Sequence, residues 1–317
     1  MTNRSLVFID TNIFLDFYRL RGGAAVRQLE ALRRHRSSLI LTDQVKMEFL
    51  KNRQNAVAEI WKEVPAPAVN LPAVLQDYGP SKAFKKKMME AKTLHAEMQS
   101  KARGMLENPR EEDIVFREVE QLFSEKSRWL LAENSSEFEA IFARAQRRFD
   151  LGQPPRKNKD NSIGDALNWE WVVECAIKAG GLGVMLVSRD GDFEGGGGQK
   201  SALNDYLEYE FSSRVGKNCK LTVTKRLTDA LSILEETVSS EDRKAEERLL
   251  ETQKMMRTHL QKIKFSSEVQ RALLEAARKS TESQARLEKL KFDELLGSIL
   301  FKRKEDEEIT DGEYPEE

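Results

Sequence analysis

Short apolar runs alternating with helical periodicity predict an α/β protein: a three-layer parallel sheet flanked by helices, with a helical insertion and a helical C-terminal extension. Two observations carry this. Four aliphatic or β-branched runs, at residues 6–10, 38–42, 184–188 and 221–224, alternate with amphipathic patterns. The stretch 217–296 holds neither Gly nor Pro and turns rich in Glu, Lys, Arg, Leu and Ala, the composition of long helices. The expected division is an α/β domain over 1–238 with an insertion at about 80–150, a helical region over 239–301, and a disordered acidic tail over 302–317.

The first strand, LVFID, ends on Asp10 and leads into a helical pattern. AAVRQLEALRRHR follows, with Val26, Leu29 and Leu32 at helical spacing, and runs to the second strand. Thr42 or Asp43 is placed to N-cap a helix through DQVKMEFLKNRQNAVAEIWKEV, which Pro65 and Pro67 end. The insertion reads as charged helices (KAFKKKMMEAKTLHAEM, REEDIVFREVEQLF, SEFEAIFARAQRRF). A helix beginning near Ser162 precedes the third strand, and SALNDYLEYEFSSRV precedes the fourth. Leu249, Met256, Leu260 and Ile263 recur at heptad-like spacing, but Ser266, Ser267, Ser280 and Ser283 interrupt it, so two or three packed helices are expected rather than one coiled coil.

Composition excludes more than it assigns. Lys and Arg number 52 against 53 Asp and Glu, so overall charge argues neither for nor against a polyanionic partner. Cys175 and Cys219 form no CxxC pair, and His35, His95 and His259 have no second ligand at zinc spacing. The N-terminus lacks the apolar core of a signal peptide, and no segment approaches a membrane span. A cytoplasmic protein is the expectation.

Chemistry is carried by acids. Asp10 stands at the carboxyl edge of the sheet, where such folds bind ligands, and it equally suits an N-cap. Glu48 shares a helix face with Val45, Phe49 and Asn52. Turned to the sheet, it needs a cation; turned slightly, it reaches Lys51. In SIGDALNWEWVV, Ser162 and Asp165 resemble a capping box, while Gly164 places minimal backbone bulk beside whatever the helix start approaches. Asn168 faces the same way as Asp165, and Glu170 points elsewhere. In SRDGDF, Asp190 and Asp192 follow the third strand, where they suit either a turn or the same sheet edge as Asp10. Carboxylates so gathered repel one another, and without His or Cys only a hard cation, Mg²⁺ or Mn²⁺, fits the donor set. The implied reaction is metal-assisted phosphodiester hydrolysis.

This constellation resembles the PIN-domain nucleases: DTN after the first strand (Asp10, Thr11, Asn12), an acid on the helix after the second (Glu48), GDA at a later helix start (Asp165), and S-x-D-x-D-F after the next strand (Ser188, Asp190, Asp192, Phe193). The resemblance implies a parallel sheet between helices and Mg²⁺- or Mn²⁺-dependent cleavage, with RNA favoured over DNA. It makes Asp10, Glu48, Asp165 and Asp190 catalytic metal ligands or water orienters, with Asp192 as an additional or substitute acid. Asn12, Ser188 and Asn168 become supporting hydrogen-bonders. It covers roughly 5–62 and 160–232. Glu48 and Asp165 stand 117 positions apart, more like larger PIN-like proteins with helical elaborations, some of them in bacterial defence systems, than like small toxins.

From Arg144 to Asp160 six cations face two acids, a net of +4 leading into Asp165. Arg147, Arg148, Arg156, Lys157 and Lys159 are thereby candidates for phosphate contacts, with KAFKKK (Lys82, Lys85, Lys86, Lys87) a second patch. EGGGGQKS lacks the glycines that a phosphate loop needs beside Lys200 and at the place of Glu194, and reads as a loop beside the site. Two alternatives stand. LVFIDTN also resembles haloacid-dehalogenase-type phosphatases with Asp10 as nucleophile, although Asn12 occupies the place of their second acid. A PIN-like scaffold without activity is the other. The C-terminal helices are expected to serve self-association or partner docking.

Overall fold

The computed structural model describes residues 5–62, 65–68, 70–124, 127–155, 162–189, 191–193, 203–256 and 258–259. Chain order is β1 (Leu6–Ile9), α1 (Thr11–Asp16), α2 (Ala24–Arg34), β2 (Leu39–Thr42), α3 (Asp43–Lys62), α4 (Gly79–Glu107), α5 (Pro109–Glu112), α6 (Ile114–Ser124) and β3 (Leu130–Leu131). It continues with α7 (Phe138–Asp150), α8 (Gly164–Lys178), β4 (Val184–Val187), α9 (Asp205–Val215), β5 (Leu221–Thr224) and α10 (Leu227–Ile233). A last described helix, α11, occupies 240–256. The chain divides into two compact units, 1–249 and 250–317. Most of the expected C-terminal helical region, and all of the expected acidic tail, lie outside the described residues.

The sheet runs β3-β2-β1-β4-β5 with every described pairing parallel. β1 and β4 share the fullest register, Leu6 with Val184 through Ile9 with Val187, and both are buried along their length, as a two-face-covered parallel strand requires. The crossover from β1 to β2 and that from β3 to β4 run in opposite directions across the sheet, and right-handed crossovers of opposite direction place their helices on opposite faces. One group packs α2 against α6 and α10; the other surrounds α8 with α7, α9 and α3. Trp169 and Trp171 are almost wholly buried on α8, and Trp171 Nε1 donates to the Trp129 carbonyl at 3.0 Å.

The four expected strands are present. The insertion, expected to be all helical, contributes a fifth, β3, paired with β2 through Leu41–Leu130 and Thr42–Leu131. Two residues are too short for strand periodicity to register. Thr42 is the N-cap of α3, its Oγ1 accepting from Val45 N at 3.1 Å.

The insertion is pinned to the core through Asp113, which is fully buried and accepts from Tyr18 Oη at 2.7 Å, Arg53 Nε at 2.9 Å and Phe116 N at 3.0 Å. Burial and the Asp113 charge push the Tyr18 hydroxyl far above its usual range, so it stays a donor. α4 returns antiparallel along α3: Arg53 Nη2 donates to the Met105 carbonyl, and the Trp61 and His95 rings are 4.9 Å apart. The part of α4 before His95 is largely exposed.

Candidate metal-dependent active site

Strand order reverses between β1 and β4, the switch point where open α/β sheets form their ligand crevice. Asp10 follows β1 and Ser188 follows β4. Strand register brings them side by side, and Ser188 Oγ donates to Asp10 Oδ2 at 2.5 Å. Asn12 Nδ2 donates to the same oxygen at 2.8 Å, and Thr11 N donates to Oδ1 at 2.7 Å. Asp10 therefore does cap α1, and at 5% exposure it is a buried carboxylate whose oxygens are both fixed by neutral donors. Asn12 Oδ1 in turn accepts from Arg189 N at 3.1 Å, tying α1 to the start of the β4 loop.

Glu48 is half-buried and joins the cluster through Thr11, whose Oγ1 donates to Glu48 Oε2 at 2.8 Å. Gln44, one turn earlier on α3, donates to Oε1 at 2.7 Å. Its hydrogen-bond partners are thus neutral side chains rather than Lys51. Gly164 opens α8 against this pair. A Cβ there would stand 2.4 Å from Gln44 Nε2 and 2.7 Å from Glu48 Oε1, so the first turn of α8 approaches as only glycine permits. Its backbone lies in no left-handed conformation; space alone demands the residue.

Asp165 follows directly, half-buried in the first turn of α8, where the helix N-terminus favours an anion. Ser162 Oγ accepts from Gly164 N at 3.2 Å. Asn168 is buried and its Oδ1 accepts from Thr42 Oγ1 at 2.7 Å, fastening α8 to the end of β2. Asp10, Asn12, Glu48 and Ser188 thus meet at one edge with Gly164. Asp190 and the side chain of Asp192 lie outside the described residues, as do Arg156, Lys157 and Lys159.

Among the described residues, no group of three His, Cys, Asp or Glu stands close enough to hold a metal ion. The donors that do converge are all oxygen, which fits a hard dication and excludes a zinc-type thiolate or imidazole set. The Cβ-free cradle at Gly164 keeps the approach to Glu48 narrow.

One expected phosphate contact is corrected. Arg148 is 2% exposed on α7, with Nε donating to Glu170 Oε1 at 3.0 Å and the other nitrogens to Glu210 and the Pro154 carbonyl. Arg144 and Arg214 complete this cluster around Glu170. Burial alone would raise the Glu170 carboxyl, but the hydrogen bonds and charges of Arg214 and Arg148 outweigh it and hold the group below its ordinary range. Arg148 is a packing cation between α7, α8 and α9. Arg147 is exposed. KAFKKK is remote: at ~1.5 Å per residue, the paths Glu48–Trp61 on α3 and His95–Lys85 on α4 add to about 35 Å.

Sequence reasoning passed over Gln44 and Arg189. Gln44 carried a signal, lying four residues before Glu48 on the same helix face. Arg189 carried none, because its partners come from remote parts of the chain.

The PIN domain family profile matches residues 7–193. Searches of curated proteins and of solved structures return no match. With strand order, sheet edge and profile in agreement over more than half its length, the chain belongs to the PIN domain family, whose members are in general metal-dependent nucleases.

Proposed function

We propose that this protein is a divalent-metal-dependent nuclease, an endoribonuclease by preference, whose site comprises Asp10, Glu48, Asp165 and Asp190, with Asp192 as a further acid. The observation that carries the reading is the bridge of Thr11 between the Asp10 and Glu48 regions, set against Gly164 at the sheet switch point. Asp10 and Glu48 accept hydrogen bonds from neutral donors, which direct each carboxylate. When bound, Mg²⁺ or Mn²⁺ supplies activation of water and neutralises charge on the scissile phosphate. The chain's own residues do the positioning: Asn12 and Ser188 fix Asp10, Thr11 and Gln44 fix Glu48, and Asn168 anchors the helix that carries Asp165.

Arg147 on the exposed face of α7, with Arg156, Lys157 and Lys159 following it, is the proposed contact for the phosphate backbone of the substrate. Cys175 and Cys219 are free and buried, which suits the reducing cytoplasm, and no helix among the described residues is long and apolar enough to cross a membrane. We assign self-association or partner docking to the segment 239–301. A phosphatase of that type would want a second acid where Asn12 stands and gives Glu48 no task, whereas the structure joins Glu48 to the cluster through Thr11; this favours the nuclease reading.

The test is incubation of labelled RNA and DNA panels with Mn²⁺, Mg²⁺ or EDTA, comparing wild type with Asp10→Asn. Cleavage that needs metal and Asp10 supports the proposal. Phosphate release from monoesters through a covalent intermediate would favour the phosphatase, and inertness towards both substrates would favour a scaffold.

A further inference from the structure

The loop that follows β4 is held by a residue far outside the family match. Arg189, directly after Ser188, is 4% exposed, and its Nε donates to Asp16 Oδ2 at 2.9 Å, at the last residue of α1. Its Nη2 donates to Glu246 Oε1 at 3.1 Å on α11. Glu246, 1% exposed, also accepts from Leu227 N at 2.6 Å, Thr228 N at 3.0 Å and Thr228 Oγ1 at 2.7 Å, closing the start of α10. Asp16 lies one helix away from Asp10, and Asn12 between them receives the Arg189 N–H. One guanidinium therefore locks α1, the β4 loop and α11 to one another.

The segment bearing Glu246 is itself fastened at two earlier points. Glu236 accepts from Arg34 at 2.5 Å and lies 2.8 Å from His35 Nε2; Asp242 pairs with Arg27 at 2.6 Å. Both carboxyls are held below their ordinary range, Glu236 chiefly by its bond to Arg34, and Asp242 by Arg27 against the opposing effect of burial. Three successive acids thus dock this strap on α2 and at the carboxyl edge of the sheet.

We propose that Glu246 is a positioning residue for the nuclease site: through Arg189 it fixes the start of the loop after β4 and the α1 register that presents Asp10. This rests on the nuclease reading above. It makes the start of α11 part of the active-site framework rather than an appendage. Arginine suits the role because its planar fork spans two carboxylates at fixed angles, which a lysine ammonium does not.

The experiment uses the full-length protein. Glu246→Gln is expected to lower kcat and Mn²⁺ affinity, the latter read by calorimetry without substrate, roughly 10–100-fold, as loss of a partner behind a metal ligand does. Arg189→Lys is expected to do the same. KM for RNA stays unchanged in both. Val119→Ala in α6, a core change remote from the site and chosen to lower Tm comparably, leaves kcat and Mn²⁺ affinity as in wild type. Glu246→Gln with lowered Tm but wild-type kcat and Mn²⁺ affinity overturns the inference and leaves the nuclease reading intact. A wild-type protein that neither binds Mn²⁺ nor cleaves overturns both.

Discussion

Gly164→Ala isolates the geometry of Glu48 from its chemistry. The new Cβ would meet Gln44 Nε2 at 2.4 Å and Glu48 Oε1 at 2.7 Å, where ordinary contact begins at 3.4 Å. Gln44 must retreat by about 1 Å and Glu48 by about 0.7 Å, and their 2.7 Å hydrogen bond is lost or redirected. Losing a hydrogen bond to a carboxylate costs about 1.5–3 kcal/mol, and alanine in a helix returns at most ~1 kcal/mol relative to glycine. Stability therefore falls by no more than about 2 kcal/mol, and Tm by no more than about 4–8 °C. Activity responds differently, because a displacement near 1 Å in a reacting constellation costs on the order of 100-fold. The assay is kcat on labelled RNA at saturating Mn²⁺, with Tm from calorimetry. Gln44→Ala added to Gly164→Ala removes the harder collision and is expected to restore part of the rate. A folded Gly164→Ala protein with wild-type kcat would refute the reasoning, since Glu48 would then be free to sit anywhere.

Further outcomes follow from the same structure. Asp10→Asn keeps an acceptor for Thr11 N but turns an amide N–H toward Asn12 Nδ2, so Tm is expected to fall modestly with circular dichroism unchanged while metal-dependent cleavage vanishes; lost secondary structure would mean that Asp10 is chiefly structural. Arg148→Ala strips a buried cation from Glu170 and Glu210 and is expected to cost about 3–5 kcal/mol in denaturant unfolding, whereas exposed Arg147→Ala costs less than ~0.5 kcal/mol but lowers the salt slope of RNA binding by about 1. Because the folded Glu170 carboxyl lies below its ordinary value of 4.5, its contribution is complete above that value and is lost as pH falls through the lower folded pKa. Acid titration of Tm is expected to show this loss only below about pH 4.5, and Glu170→Gln flattens it.

What the sequence made legible follows from locality. Strand ends are marked by an abrupt change from apolar to polar residues, which puts Asp10 and Ser188 on one edge. Helix spacing put Glu48 on one face with Val45 and Phe49, turned to the sheet or slightly aside, and Gly164 signalled a close approach. Charge pattern misled at Arg148, because the periodicity of α7 does not reveal that Glu170 of α8 and Glu210 of α9 await it. The two-residue β3 is defined by its pairing with β2, which no local pattern reveals. Glu246 was beyond reach for the same reason: its meaning depends on Arg189, 57 positions earlier.

The pairing of β1 with β4 also bears on how the molecule is made. Ser188 lies 178 positions after Asp10. At about 5–20 residues per second, a ribosome extends the chain for roughly 10–35 s between them. Throughout that interval the emerging polypeptide holds β1 without its central neighbour, and the residue that clamps the β4 loop is translated later still. A nascent protein built this way stays incomplete at its crevice until most of it has left the exit tunnel, which separates the moment of synthesis from the moment of competence.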